Sequence, residues 1–328
     1  MGKNWPATRF QAVLELLVTP GNHCHAHRQA GSGNRLGGSG DVTATHLAWE
    51  QKKAVPMISS PAVAAGLVFV VKENGIASAL DASTGAVTRV SSVWVSHSFD
   101  QRLLYDGEGI LEHHLGDAYP RTIVFARDHR SYPLFHIKGD LGENNTYTRL
   151  GNVALIENDP DYGYIALFST ENSTVADGGI SGPRNLAIVR VNSSDNSLDP
   201  GLPDTLTFLS VDTVYTNRLR WLTSYSAESN LHAERPKVIG VGGDRYIVLW
   251  EEWLDTGSYP DVYRGVHGML IDGQGNVLRA AKLITDGHHL HRGDDAFLLD
   301  NRAAWMTGSA VEKKLHLHLV DQSLNYQM

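Results

Sequence analysis

Sixteen histidines in a chain of 328 residues are the first sign of chemistry, and they fall in clusters. The densest is His288-His289-Leu290-His291-Arg292-Gly293-Asp294-Asp295, with three imidazoles and two carboxylates in eight residues. Neutral imidazole and carboxylate are ligands of zinc, manganese and related ions. A metal held there lowers the pKa of bound water to about 7 and generates hydroxide for hydrolysis. Alternate residues of an extended segment share a face. His289 and His291 therefore lie together, and with Asp295 they form a candidate set for a divalent metal (Zn, Mn or Ca). A second cluster is His97 with Asp100, followed by Asp117 and Arg121. In a metal-free version of the site, His97 and His291 open equivalent inner strands and face the axis, and Asp117 or Asp294 orients one of them as a general base. The plainer alternatives are an exposed polar loop at 288–295, a turn cap at Asp117 and a strand start at Arg121.

Basic residues recur beside these clusters. Gln101-Arg102-Leu103-Leu104, Thr148-Arg149-Leu150, Glu234-Arg235-Pro236-Lys237-Val238 and His291-Arg292-Gly293 each open a unit with a basic residue before a turn-bounded run. Arg102, Arg149, Arg235 and Arg292, facing one funnel, would hold a carboxylate, sulfate or phosphate through bidentate hydrogen bonds. Alternatively, each arginine ties its own repeat to a neighbour through an Asp or a backbone carbonyl. Trp250, Trp253 and Tyr259 lie near turns and suit stacking on a sugar ring, although Trp250 also suits a core position. Glu251 and Glu252 follow as a carboxylate pair. His316 and His318 alternate with leucines and read as solvent-facing positions of a half-buried strand. His23, His25 and His27 read as loop residues able to pick up metal adventitiously. No G-x-S-x-G elbow, phosphate-binding loop or dinucleotide fingerprint is present.

The elements that must position these residues are strands. From Thr45 onward, apolar runs of four to seven residues alternate with Gly, Asn and Asp turns, as at Leu67–Val71, Tyr164–Phe168 and Tyr246–Trp250. Short strands at regular spacing with turn signals mean an all-β sandwich, barrel or propeller. A third strand in several units opens with Arg121, Arg184, Arg264 or Lys313. The steps from 121 to 149 and from 264 to 292 are both 28 residues. This periodicity favours a β-propeller of five to seven four-stranded blades. Residues 1–44 stand outside it, with a short amphipathic helix at Phe10–Val18 followed by a Gly/Ser/His-rich loop. The propeller covers 45–328, with a first blade at 45–95 and the others in 96–328.

One unit carries a family resemblance. Ser59-Ser60-Pro61-Ala62-Val63, Gly66-Leu67-Val68-Phe69-Val70 and Ala79-Leu80-Asp81-Ala82-Ser83-Thr84-Gly85 together resemble one quinoprotein (PQQ-type) propeller repeat. In that family a Trp usually follows the turn glycine by four residues and packs between blades. Arg89 stands there in this chain. The resemblance implies the fold and raises a PQQ-dependent dehydrogenase as a functional class. PQQ itself is not expected, because catalytic members have many such blades and commonly two adjacent cysteines. This chain has one recognisable repeat and one Cys.

Composition narrows the classes. Lys+Arg 28 against Asp+Glu 36 gives a net charge of −8, which excludes the basic footprint that nucleic acid requires. No apolar run reaches the length of a membrane-spanning helix. The single Cys24 excludes an internal disulfide and any cysteine-based metal framework. The sequence thus favours a hydrolase of an anionic ester or phosphoester, working through a His/Asp or metal site in the funnel. A non-catalytic propeller that binds a glycan or protein is the alternative, and the dehydrogenase is the third class.

Overall fold

A computed structural model describes residues 31–34, 47–51, 62–64, 66–71, 76–92, 98–105, 110–116, 121–127, 130–138, 149–157, 159–174, 180–210, 213–258, 260–309 and 313–328. The expected helix at Phe10–Val18, together with His23, His25, His27, His97, Asp117 and Tyr259, lies outside the described residues. Among those described there is no α-helix, only a 3₁₀ turn at Ala227–Ser229. None of their helices is long and apolar enough to cross a membrane. The chain divides into two compact units, Met1–Trp94 and Val95–Met328.

In the first unit, Ala62–Ala64, Leu67–Val71, Ile76–Asp81 and Val87–Ser92 form one antiparallel meander. A two-stranded sheet pairs Gly31–Asn34 with Leu47–Gln51. The quinoprotein-like turn closes on its own aspartate. Asp81 Oδ1 accepts the Ser83 and Thr84 amides at 3.0 and 2.8 Å, and Gly85 follows in the left-handed region at φ +69°. The indole of Trp49 covers that glycine and donates from Nε1 to the Ala82 carbonyl at 2.9 Å. A tryptophan does dock on the turn, but it comes from upstream rather than from the Arg89 position. A Cβ on Gly85 would fall 2.5 Å from Trp49 Cδ2. Gly85→Ala is therefore expected to destabilise this unit by about 2–3 kcal/mol, through strain at positive φ and overpacking. Denaturant unfolding followed by circular dichroism checks this; an unshifted midpoint would mean that Trp49 is not seated on the turn.

Among the described residues the second unit has four successive antiparallel sheets, which follow chain order from the inner edge outward except at the outer edge of the second. Blade I is Ser98–Tyr105, Ile110–Gly116, Arg121–Arg127 and Arg130–Lys138. Blade II is Arg149–Leu155, Tyr162–Thr174, Ile180–Asn192 and Thr213–Trp221, with Asp204–Ser210 added outside. Blade III is Leu231–Gly240, Arg245–Leu254, Val262–Asp272 and Val277–Thr285, and blade IV is Phe297–Leu299, Arg302–Ser309, Lys314–Val320 and Tyr326–Gln327. The first strands of consecutive blades lie against one another. This is a β-propeller arrangement with four blades, not the five to seven that the spacing predicts. Two features inflated the expected count. The stretch at 204–221 is a hairpin on blade II, whose strand pairing with that sheet is limited to Ala187–Trp221 and Ile188–Arg220. The PQQ-type repeat belongs to the first unit.

Period-two alternation explains the continuous apolar runs. In Tyr164-Ile165-Ala166-Leu167-Phe168 every side chain is buried. Tyr164, Ala166 and Phe168 pack toward blade I with Leu111, Leu115 and Leu150. Ile165 and Leu167 pack toward blade III with Val238, Val248 and Trp250. The next second strand repeats the division: Ile247 and Leu249 face Ala303, Trp305 and Val320 of blade IV. A strand sandwiched between two blades has no polar face to display.

The turn after the third strand also repeats in blades II, III and IV. Asp272 Oδ1 accepts the Gln274 and Asn276 amides at 2.9 and 2.8 Å. Asp321 Oδ1 accepts those of Ser323 and Asn325, both at 2.8 Å. Asn192 Oδ1 accepts those of Ser194 and Asp195 at 2.7 and 3.3 Å. These Asx turns mark the outer end of blades II, III and IV, and Asp81 marks the equivalent turn of the first unit.

Candidate functional site

Each of the first three inner strands is interrupted by a register shift at a comparable place. The breaks fall between Phe99 and Arg102, Leu150 and Val153, and Glu234 and Lys237. In the third, Arg235 has φ +51°. Such bulges bend the strand and re-aim the side chains beside them. The irregular segment 286–296, which links blades III and IV, receives several of these side chains.

Arg102 is buried and donates from Nη2 to the Arg292 carbonyl at 2.9 Å and to the Leu150 carbonyl at 3.4 Å. Its Nε lies 3.1 Å from Asp295 Oδ1. Arg235 Nη1 donates to Glu251 Oε1 at 3.1 Å and to the Leu290 carbonyl at 2.8 Å. Arg149 Nε pairs with Glu234 Oε2 at 3.2 Å, and Arg184 also pairs with Glu234. Arg292 contributes its carbonyl, while its side chain is exposed. Arg102, Arg149 and Arg235 thus make the blade-to-neighbour ties that the sequence offered as the alternative to a shared anion site. Lys237, which the sequence placed only within a repeat, is buried beside them. Its Nζ donates to the Asp294 carbonyl at 2.6 Å and lies 3.8 Å from Asp295. Burial pushes the Asp295 carboxyl above its ordinary range, against the pull of Arg102 and Lys237.

His291 Nδ1 lies 3.0 Å from Asp294 Oδ2, with both side chains exposed. The same Nδ1 accepts the Asp294 and Gly293 amides at 2.9 and 3.2 Å. A neutral ring with an acceptor Nδ1 carries its proton on Nε2. In this geometry His291 presents its Nε2–H as a donor. The expected metal set is not gathered. Among the described residues no three His, Cys, Asp or Glu side chains are grouped to hold an ion; His289 Nδ1 faces Glu251 at 3.2 Å and Asp295 faces Arg102. A small cavity of about 120 Å³ lies here, lined by Lys237, His291, Asp294 and Asp295 and by Phe297 and Trp305 among apolar residues.

Glu251 and Glu252 do not form a pair, because neighbours on a strand point to opposite faces. Glu252 accepts from Tyr225 at 2.9 Å and lies 3.8 Å from His267. Glu251 is fully buried and collects the Leu290 amide at 2.7 Å, Arg235, His289 and the Trp253 indole at 2.8 Å. Above it lies a partly exposed aromatic ledge. The rings of Trp253 and Tyr263 are 5.4 Å apart, Tyr263 and His289 4.0 Å, and Trp253 and His289 6.0 Å. Tyr263, which the sequence did not single out, is the residue that makes the ledge continuous.

His318 is not on a solvent face: it is completely buried, between Thr307 and Tyr326 and against Trp305. His113 and His114 are buried as well.

No family model matches the chain, and no curated protein matches it in sequence. Among solved structures it is similar to a GH43 endo-arabinanase from Bacillus licheniformis, at 9% identity and a TM-score of 0.42, over 84% of this chain and 98% of that one. It is also similar to a europium-containing methanol dehydrogenase, at 10% identity and a TM-score of 0.38, over 92% and 75% of the two chains. For BamB from Moraxella catarrhalis the values are 12%, 0.36, 96% and 95%. At such TM-scores none of these likenesses informs the site, whose reading rests on its own geometry.

Proposed function

We propose that this chain binds carbohydrate without chemical conversion, on the ledge formed by Trp253, Tyr263 and His289. The contiguity of these three rings, backed by a buried carboxylate, carries the reading. Sugar rings present one face of C–H groups that packs on aromatic rings and an edge of hydroxyls that needs hydrogen-bonding groups. Binding sites combine aromatic walls with a few fixed polar groups in this way. Glu251 fixes the Trp253 indole and faces the His289 imidazole, so the ledge is preorganised. The half-exposed Arg235 guanidinium lies beside it.

Titration of neutral oligosaccharides, followed by calorimetry, tests the proposal. Trp253→Ala is expected to weaken binding by at least about tenfold, which corresponds to about 1.4 kcal/mol, with an unchanged circular dichroism spectrum. Equal affinity of the variant, or no binding by the unaltered protein at millimolar ligand, overturns it.

The cavity beside Asp295 supports a second reading, the hydrolase of an anionic ester. Asp295, held toward its protonated form by burial, would then donate the proton, and His291 would hydrogen-bond the substrate from Nε2. Turnover of ester or phosphoester probes in the same screen moves the reading there. Neither reading routes a step through a metal or PQQ.

A further inference from the structure

Segment 286–296 has no ladder of its own, so its backbone groups must find partners elsewhere. Five of its carbonyls are taken by side chains. Tyr263 donates to His288, Trp305 Nε1 to His289 at 3.2 Å, Arg235 to Leu290, Arg102 to Arg292 and Lys237 to Asp294. Arg102 comes from blade I, Arg235, Lys237 and Tyr263 from blade III, and Trp305 from blade IV. One apolar peg, Leu290, is 1% exposed and joins the blade III–IV core. The flanking His289, His291, Arg292 and Asp294 are exposed.

We infer that this segment is a latch, which closes the ring between the first and last blades and opens as a unit ahead of global unfolding. Strands of the blades are held by many ladder hydrogen bonds spread along two edges. The latch is held by side-chain donors from three blades that all end on seven consecutive residues, 288–294. Loss of one donor leaves a part-buried carbonyl without its protein partner and loosens its neighbours, so the ties fail together. Segments held in this manner sit at the low end of the range of local opening free energies. Opening uncovers the cavity, because Leu290, His291, Asp294, Asp295 and Ala296 line it from the latch side.

Native-state hydrogen exchange on the full, ligand-free chain tests this. In the unaltered protein, amides of 288–296 are expected to exchange at least 10-fold faster than those of Ile247–Leu249, which exchange by global unfolding. Lys237→Met removes the hydrogen bonds from Nζ to the Asp294 carbonyl and, at 3.5 Å, to the Arg292 carbonyl while keeping an unbranched side chain, and should accelerate exchange of the latch at least 10-fold more than exchange of Ile247–Leu249. Arg102→Lys keeps the charge but not the forked geometry, and decides the matter if Lys237→Met does not fold. Latch amides that exchange only at the core rate overturn the inference, as does a latch rate within twofold of the unaltered protein in the folded variant. Sugar bound against His289 would slow the same exchange; that clause rests on the carbohydrate reading, whereas the ligand-free measurement tests the latch alone.

Discussion

Glu251→Leu is expected to lower the melting temperature of the second unit by about 10 °C. Glu251 is fully buried, and its two oxygens serve the Leu290 amide, Arg235, His289 and the Trp253 indole. Leucine fills much of the volume but offers none of these donors a partner. The exposed edge of Arg235 recovers water, whereas the Leu290 amide is buried and does not. Breaking one side of a buried charged network costs about 3–5 kcal/mol. In a unit of this size each kcal/mol is worth about 2–4 °C. Glu251→Gln keeps one acceptor oxygen and should lose roughly half as much. Thermal melts by circular dichroism settle the order; a Leu variant within 2 °C of the unaltered protein would show that the four contacts do not act together.

Acid should weaken the fold through His318. Its Nε2 meets Thr307 Oγ1 at 2.7 Å and its Nδ1 meets the Tyr326 hydroxyl at 2.8 Å. The ring stacks on Trp305 at 4.8 Å and faces His288 and His316 at 4.6 and 6.4 Å. Burial, then His288 and His316, push its pKa down to about 4 from 6.5. Below pH 6.5 the unfolded chain takes up a proton that the folded chain refuses. Stability is therefore complete above pH 6.5, declines as the pH falls, and levels off near pH 4. By pH 4.5 the loss should reach about 2–3 kcal/mol, or about 5–10 °C of melting temperature. His318→Gln retains hydrogen-bonding groups but does not titrate. Its melting temperature should be lower at pH 7, with a flatter profile from pH 6.5 to 4.5. Parallel profiles for the two proteins would rule out His318 as the source.

The sequence showed more of the fold than of the site. Strand spacing and Gly/Asn/Asp turns are local signals, so the all-β propeller class was legible. The blade number was not, because the 204–221 hairpin has the same local pattern as a blade and differs only in what it pairs with. Opening arginines are an uneven mark of the repeat; the more regular one is the Asx turn at Asn192, Asp272 and Asp321. At the site, spacing grouped His288 to Asp295 correctly as one segment. It missed that their backbone carbonyls, rather than their imidazoles, meet Arg102, Arg235 and Lys237. Main-chain acceptors leave no trace in residue type. Glu251 was visible only as half of an acidic pair, since its surroundings depend on Leu290 and His289 arriving from segment 286–296 and on Arg235 from the neighbouring strand. His318 was misplaced because alternation predicts two faces but not which neighbour covers the second.

The Asx turns have a consequence for how such a protein can be altered. Asp272 and Asp321 bind amides within four residues of themselves, and Asn276 and Asn325 return an amide hydrogen bond to the same carboxylates. The instructions for the bend therefore travel with five residues. At the fourth position one turn has Gly275 at φ +78° and the other has Leu324 at φ +62°, buried in the blade III–IV core. The two loops are interchangeable cassettes in backbone shape but not in the side chain they deliver inward. Loop grafting at these rims should succeed when the first and fifth residues are kept and the fourth is chosen for the local core.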